Sequence, residues 1–283
     1  MAISLEGVSY VYSRGTPFQW CALRNVNLRI KEGTVVCVLG GTGSGKTTLA
    51  LLLNGILRPT TGRVIVDGMD TKDKTVDIRE IRRRVGMVMQ YPEHQFFLPT
   101  VREELLYAAR NYLGDEIDEE RILEKICEIV DLDRHLLEKN PFELSGGEKR
   151  RIAIGSILGY DPVYLVMDEP TVGLDSAGKK AFKEVLVSMK EKGKTLVIIT
   201  HDLDFFVPLA DEFVVLKEGK VMFSGRKENF IKNVVPRLEE YGLKSTLKLR
   251  LMRNLEDFRG SDEDELIIRA LSKGLITCPS SRE

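Results

Sequence analysis

The chain has 283 residues, enough for one large domain, or a main domain with an appendage, around a substantial core. Its 42 Lys and Arg nearly cancel 43 Asp and Glu, and a formal charge of −1 excludes a global field that would recruit nucleic acid or an anionic membrane surface. Cys21, Cys37, Cys127 and Cys278 stand far apart without C-x-x-C spacing, which argues against a zinc site or a disulfide framework and favours a reducing cytoplasm. Met1-Ala2-Ile3-Ser4-Leu5-Glu6 lacks the charged and apolar regions of a secretion signal. No run of about 18 consecutive apolar residues occurs, so any membrane crossing is expected from other chains.

In chain order, Ile3–Tyr12 and Ala22–Ile30 alternate loosely between apolar and polar residues and predict half-buried strands. Lys31-Glu32-Gly33 predicts a turn into the apolar strand Val35–Leu39, and Arg63–Gly68 predicts another strand after the break Pro59-Thr60-Thr61-Gly62. An antiparallel layer beside a nucleotide core is implied. Ile78–Arg84 reads as a short charged helix, followed by a strand Val85–Met89. From about 92 to 160 the pattern turns helical, with Val101–Leu113 and then Asp118–Val130, in which Ile122, Ile126, Ile129 and Val130 share a face. An inserted helical subdomain is expected there. Ser145-Gly146-Gly147-Glu148 has the form of a capping box and predicts a helix from Ser145 to about Leu158. The apolar strands Val163–Met167 and Thr195–Ile199 flank a helix from about Ser176 to Lys192, a unit that predicts a parallel sheet. Glu212–Leu216 and Val221–Phe223 predict a hairpin. Residues 1–225 thus read as the main domain and 226–283 as an extension of short charged helices, the last capped by Ser261-Asp262.

Between the strand Val35–Leu39 and the run Leu49–Leu53 lies Gly40-Gly41-Thr42-Gly43-Ser44-Gly45-Lys46-Thr47-Thr48. A glycine-rich turn between a buried strand and a helix start lets backbone N–H groups converge on an anion, and the helix N-terminus adds its positive end. In this G-x-x-x-x-G-K-[ST] pattern Lys46 reaches the β- and γ-phosphates and the Thr47 hydroxyl holds Mg²⁺. Asp168-Glu169 follows the strand Val163–Met167. Carboxylates at that end of a parallel strand suit two roles, Asp168 anchoring Mg²⁺ through water and Glu169 accepting a proton from attacking water. Gln90, after the strand Val85–Met89, can contact the metal or its water through its amide oxygen, and His201, after Thr195–Ile199, can donate to γ-phosphoryl oxygens. Ser145-Gly146-Gly147 is a second anion-seeking helix start. One nucleotide needs only one such cradle from one chain, so two chains arranged head to tail are expected to share each ATP.

These motifs, in this order, resemble those of ATP-binding cassette ATPases over about residues 3–225. Gly40–Thr48 resembles the Walker A motif, Gln90 the Q-loop, Leu144–Glu148 the signature, Val163–Glu169 Walker B, Gly173-Leu174-Asp175 the D-loop and His201 the switch histidine. The resemblance implies a P-loop α/β fold with a parallel sheet, an antiparallel β subdomain and an inserted helical subdomain. It also implies ATP and Mg²⁺ as ligands, Glu169 as catalytic base, Ser145 and Gly147 as donors to the partner's γ-phosphate, and Tyr12 as the aromatic that stacks on adenine, with Tyr10 the alternative on the same segment. Gln90-Tyr91-Pro92-Glu93-His94-Gln95 is similar to the Q-N-P-E-D-Q segment of energy-coupling factor importers of vitamins, cobalt or nickel, with departures at Tyr91 and His94, and with Glu148 where glutamine is usual.

The expected activity is ATP hydrolysis that powers uptake through membrane partners, on the cytoplasmic face of the membrane. The expected partners are a second cassette, identical or paralogous, an integral membrane coupling subunit and a substrate-binding membrane subunit. Phe96-Phe97-Leu98 places apolar bulk in a loop that could fill a groove against a partner helix. A non-transport ATPase acting on nucleic acid or ribosomes is the alternative. It is disfavoured because Arg82-Arg83-Arg84 and Lys149-Arg150-Arg151 both belong to helices and form no phosphate-tracking stripe.

Overall fold

The computed structural model describes residues 1–91, 95–114, 116–244, 246 and 249. The Pro92-Glu93-His94 resemblance, Cys278, the Ser261-Asp262 cap and most of the C-terminal extension lie outside the described residues.

Among the described residues the strands form two sheets. The first, in the order β2 (Trp20–Lys31), β1 (Ala2–Tyr12), β4 (Thr61–Val66), β5 (Met69–Asp70), is antiparallel throughout and is the expected layer. The second runs β10 (Lys220–Arg226), β9 (Glu212–Lys217), β3 (Val35–Leu39), β8 (Thr195–Ile199), β7 (Tyr164–Asp168), β6 (Val85–Val88). It is parallel except for β10, the returning arm of the predicted hairpin.

The central strands read as unbroken apolar runs because both faces are covered. On β3, Val36 and Val38 enter the core shared with the antiparallel sheet and with α1 (Lys46–Leu53), while Val35, Cys37 and Leu39 enter the core on the opposite face. That second core holds α3 (Val101–Leu113), α4 (Glu119–Val130), α5 (Gly146–Leu158) and α6 (Ser176–Glu191). A Cβ at Gly155 would come within 2.7 Å of Ile126 and 2.8 Å of Leu105, so glycine is what lets α5 lie against both α3 and α4. The α4 face differs from the expected one. Ile122 is only half-buried, while Leu123 and Cys127 join Ile126, Ile129 and Val130 inside.

α2 (Ile78–Arg84) leads into β6, and α7 (Leu203–Phe206) follows the turn after β8. The expected boundary after residue 225 falls one residue before the end of β10, just ahead of α8 (Lys227–Asn233). Residues just beyond it share the core: Phe230 stacks on Phe213 with ring centroids 4.1 Å apart, and Val234 and Leu238 are buried. A 3₁₀ turn over Val235–Tyr241 then brings Gly242 against the phosphate loop, where a Cβ on Gly242 would lie 3.4 Å from the Gly41 Cα.

Candidate active site

The phosphate loop leaves β3 with Gly40, Gly43 and Gly45 at φ of +154°, +76° and +102°, a left-handed series that only glycine adopts without strain. At Gly40 a side chain would strike the Leu216 carbonyl, and at Gly45 the Ala22 carbonyl, so two neighbouring strands also dictate glycine. Lys46 Nζ lies along the loop and donates to the carbonyls of Gly40 (2.8 Å) and Gly41 (2.9 Å). Burial pushes its ammonium below the usual lysine range, against the pull of Glu169 and Asp168. α1 begins at Gly45 with no side-chain cap, which leaves its first N–H groups to an outside acceptor. The Ser44 hydroxyl is buried without a partner among the described residues. Gly41, Thr42, Gly43 and Ser44 line a cavity of about 210 Å³ with the Lys217-Glu218 turn and Tyr241-Gly242.

β7 delivers its carboxylates to this loop. Thr47 Oγ1 donates to Asp168 Oδ2 at 2.8 Å, across 121 positions of sequence. Asp168 is buried, and desolvation pushes its carboxyl above the usual range despite that bond and Lys46. A hydroxyl and a carboxylate so paired are the donor set a hard divalent cation takes beside phosphate oxygens. Glu169 stands in left-handed backbone at φ +48°, its N–H bonded to the Ile199 carbonyl at 2.8 Å. Its Oε1 lies 2.9 Å from His201 Nδ1, while its Oε2 is buried and unpartnered among the described residues. The carboxylate is 13% exposed and His201 68%, so the pair faces outward at the C-terminal ends of β7 and β8. These are the polar atoms a bound water and a terminal phosphate would satisfy.

The remaining predicted residues distribute as follows. Tyr12 ends β1 with its hydroxyl 3.2 Å from Thr48 Oγ1, its ring parallel to Trp20 (13° between planes, centroids 5.9 Å apart) and edge-on to Tyr10. Gln90 follows β6 and is half-buried. Ser145 caps α5 in a complete capping box: its N–H and hydroxyl donate to Glu148 Oε2 at 2.8 and 2.6 Å, and the Glu148 N–H returns a bond to Ser145 Oγ at 3.3 Å. Ser145 thereby holds the Glu148 carboxyl below the usual glutamate range. Among the described residues, nothing outside the immediate neighbours and the helix's own backbone lies within 4 Å of a Cβ built on Gly146 or Gly147, so no packing contact there requires glycine at either place. Asp175 caps α6 through the Gly178 N–H at 2.7 Å, a structural duty that motif reading missed. The Ser145–Gly147 and Gly173–Asp175 segments line a cavity of about 410 Å³ that shares no residue with the one at the phosphate loop.

Sequence reading also missed Glu104, buried in α3, whose Oε1 accepts the backbone N–H groups of Phe97 and Leu98 and so shapes the loop after Gln90. Its place in the first turn of α3, where a glutamate ordinarily serves the helix dipole, carries no sign of this contact. That loop splits the expected aromatic pair: Phe96 joins the core, 6% exposed with its ring edge-on to Phe142, whereas Phe97 is 61% exposed and meets Tyr107 edge to face.

The sequence pattern of the ABC transporter family matches residues 23–172, from β2 past Walker B. The chain belongs to this family. It is an ATP-hydrolysing transporter subunit with the P-loop cassette fold, and it binds ATP. Energy-coupling factor transporter ATP-binding protein EcfA2 of Symbiobacterium thermophilum is 42% identical to the cassette over 225 residues, 80% of this chain and 78% of that protein. CbiO1 from Clostridium perfringens, part of the ABC transporter complex CbiONQ, superposes with a TM-score of 0.71 at 34% identity, covering 85% of this chain and 96% of that one. The ATP-binding cassette MJ0796, solved as a dimer in a post-hydrolysis state with ADP and Pi, superposes with a TM-score of 0.70 at 31% identity, covering 80% and 98%.

Proposed function

We propose that two cassettes, identical or paralogous, close head to tail on two ATP molecules, and that closing and reopening drive an energy-coupling factor importer of a vitamin or transition-metal ion. One observation carries the reading. The chain builds two anion-facing helix starts in separate cavities, and the glycines of the second, Gly146 and Gly147, lie bare toward space that the described residues leave empty. A partner's phosphate loop is the occupant such a surface admits.

In this reading the α1 N–H groups and Lys46 bind the β- and γ-phosphates, and Tyr12 stacks on adenine. Thr47 and Asp168, with Gln90, hold Mg²⁺, which supplies electrostatic stabilisation of the transferring phosphoryl group. Glu169 takes the proton of the attacking water through Oε2, held in place by the His201 contact to Oε1. His201 also donates to the γ-phosphoryl oxygens, and Ser145, Gly146, Gly147 and Asp175 meet the partner's nucleotide from across the seam. Residues 1–225 form the cassette and 226–283 an appendage to it.

The membrane coupling subunit docks a cytoplasmic helix in a groove of about 430 Å³ lined by Met87, Met89, Tyr107 and Tyr112. In the same lining, Arg82 Nε and Gln95 Oε1 are buried without partners among the described residues, polar atoms that a docked segment would satisfy. No helix among the described residues is long and apolar enough to cross a membrane, which agrees with peripheral attachment at its cytoplasmic face.

Glu169→Gln decides the catalytic assignment: light scattering should detect an ATP-bound dimer that no longer turns over, and wild-type hydrolysis by this variant would refute it. Phe97→Ser addresses the groove. Transport should fall while basal hydrolysis persists, and full transport would place the membrane partner elsewhere. Phe96 is unsuited to that purpose because its burial makes Phe96→Ser a core lesion costing about 3 kcal/mol or more.

A further inference from the structure

Arg150, in the second turn of α5, is 4% exposed. Its Nη1 donates to the Gln90 carbonyl at 3.2 Å and its Nη2 to the Val172 carbonyl at 2.8 Å. Gln90 belongs to the loop that closes β6. Val172 lies between Glu169 and Asp175, and its own N–H is bonded back to the Glu169 carbonyl at 3.2 Å. One side chain of the signature helix therefore grips the backbones of two loops that come from adjacent strands and flank the reacting atoms.

Burying a cation is costly unless acceptors replace its water, and here the acceptors include two main-chain carbonyls of segments that carry Gln90 and Glu169. The guanidinium is a planar fork with fixed donor directions, so it dictates the spacing and orientation of those carbonyls. A lysine ammonium is a point donor on a flexible stem and cannot hold both at once. We propose that Arg150 is a positioning residue that sets the Gln90 loop and the Glu169–Asp175 loop in register with the signature helix. A displacement of α5 against a closing partner then moves both loops together. The inference rests on the assignment of Gln90 and Glu169 to the γ-phosphate, and Arg150 itself touches no nucleotide in it.

The experiment compares Arg150→Lys with Arg102→Lys, the same exchange at a half-exposed ion pair of α3. Hydrogen–deuterium exchange of the full chain without nucleotide should show faster exchange in both segments 85–91 and 171–175 of Arg150→Lys, by about tenfold, the share of one charge-assisted hydrogen bond. Neither segment should change in Arg102→Lys. In ATP turnover by the assembled cassettes, kcat should fall about tenfold or more while KM for ATP shifts by less than about twofold, because the phosphate loop that binds nucleotide is untouched. Unchanged exchange in either segment overturns the bridge, since a residue serving one loop does not link two. Faster exchange in both with wild-type kcat overturns its bearing on hydrolysis. Full turnover by Glu169→Gln would sink the underlying assignment instead, an outcome separate from both.

Discussion

The two helix starts that face anions are built on opposite plans. α1 begins in a half-buried loop, two of whose glycines, Gly40 and Gly45, are dictated by neighbouring carbonyls, and it has no side-chain cap of its own. α5 begins at the surface with glycines that nothing among the described residues crowds, and its capping box takes up the N–H groups of Ser145 and Glu148 and ties the serine hydroxyl to the Glu148 carboxylate. The first is left without a cap by the fold, which in the proposed reading opens it to phosphate directly. The second is stable by itself, and its hydroxyl must exchange Glu148 for an outside acceptor before it can serve a nucleotide. The proposed pairing thus sets a half-site open to ligand against one whose serine engages only when another molecule competes with its cap.

Breaking the first plan has the largest expected effect. Lys46→Ala removes the cation nearest the loop and should lower hydrolysis by about 10²-fold or more. The loss should register first as weaker ATP binding to the isolated chain in a calorimetric titration. Chelating divalent cations from the wild type should likewise stop turnover, because Thr47 and Asp168 lose the ion that the proposed mechanism places on them. Nucleotide with EDTA should raise Tm less than nucleotide with Mg²⁺ in a thermal shift assay.

Ser145→Ala breaks the second plan and should leave ATP binding by the isolated chain intact. Turnover should fall about tenfold, the order of one hydrogen bond to a charged group, and the helical subdomain should lose about 1 kcal/mol of stability as its cap goes. If instead monomer binding weakens, the two cradles are not independent. The smallest effect is on pH dependence. Because Glu148 has a folded-state pKa below its unfolded value, its contribution is present above the unfolded pKa, about 4.3, and is lost as pH falls through the folded one. Glu148→Gln should therefore be less stable than wild type at neutral pH, with the gap in Tm closing as the medium is acidified.

Much of this was legible in local signals. Ile78–Arg84, Val101–Leu113 and Thr195–Ile199 occupy the expected spans, and the capping box at Ser145 forms as its spacing predicts. Each rests on neighbours within a few residues: an Asp, Thr or Ser acceptor over free N–H groups, or an apolar run between turns. The phosphate loop was equally readable, since its glycines, lysine and threonine act in sequence order. The partition of Phe96 from Phe97 was not, because adjacent residues in a loop share no periodicity and the loop's path is held by Glu104, which accepts the Phe97 and Leu98 N–H groups from a helix further along the chain.

By itself, then, the order of residues determined the strands, the helices and the chemistry each motif can offer, because backbone propensity, capping and glycine geometry act over short distances. Only tertiary packing decided which groups meet: Thr47 with Asp168, Glu169 with His201, Arg150 with both Gln90 and Val172, and Gly242 with Gly41. Those encounters depend on the parallel register of β6, β7, β8 and β3, which aligns the ends of strands far apart in the chain, and no local pattern encodes a register between distant strands.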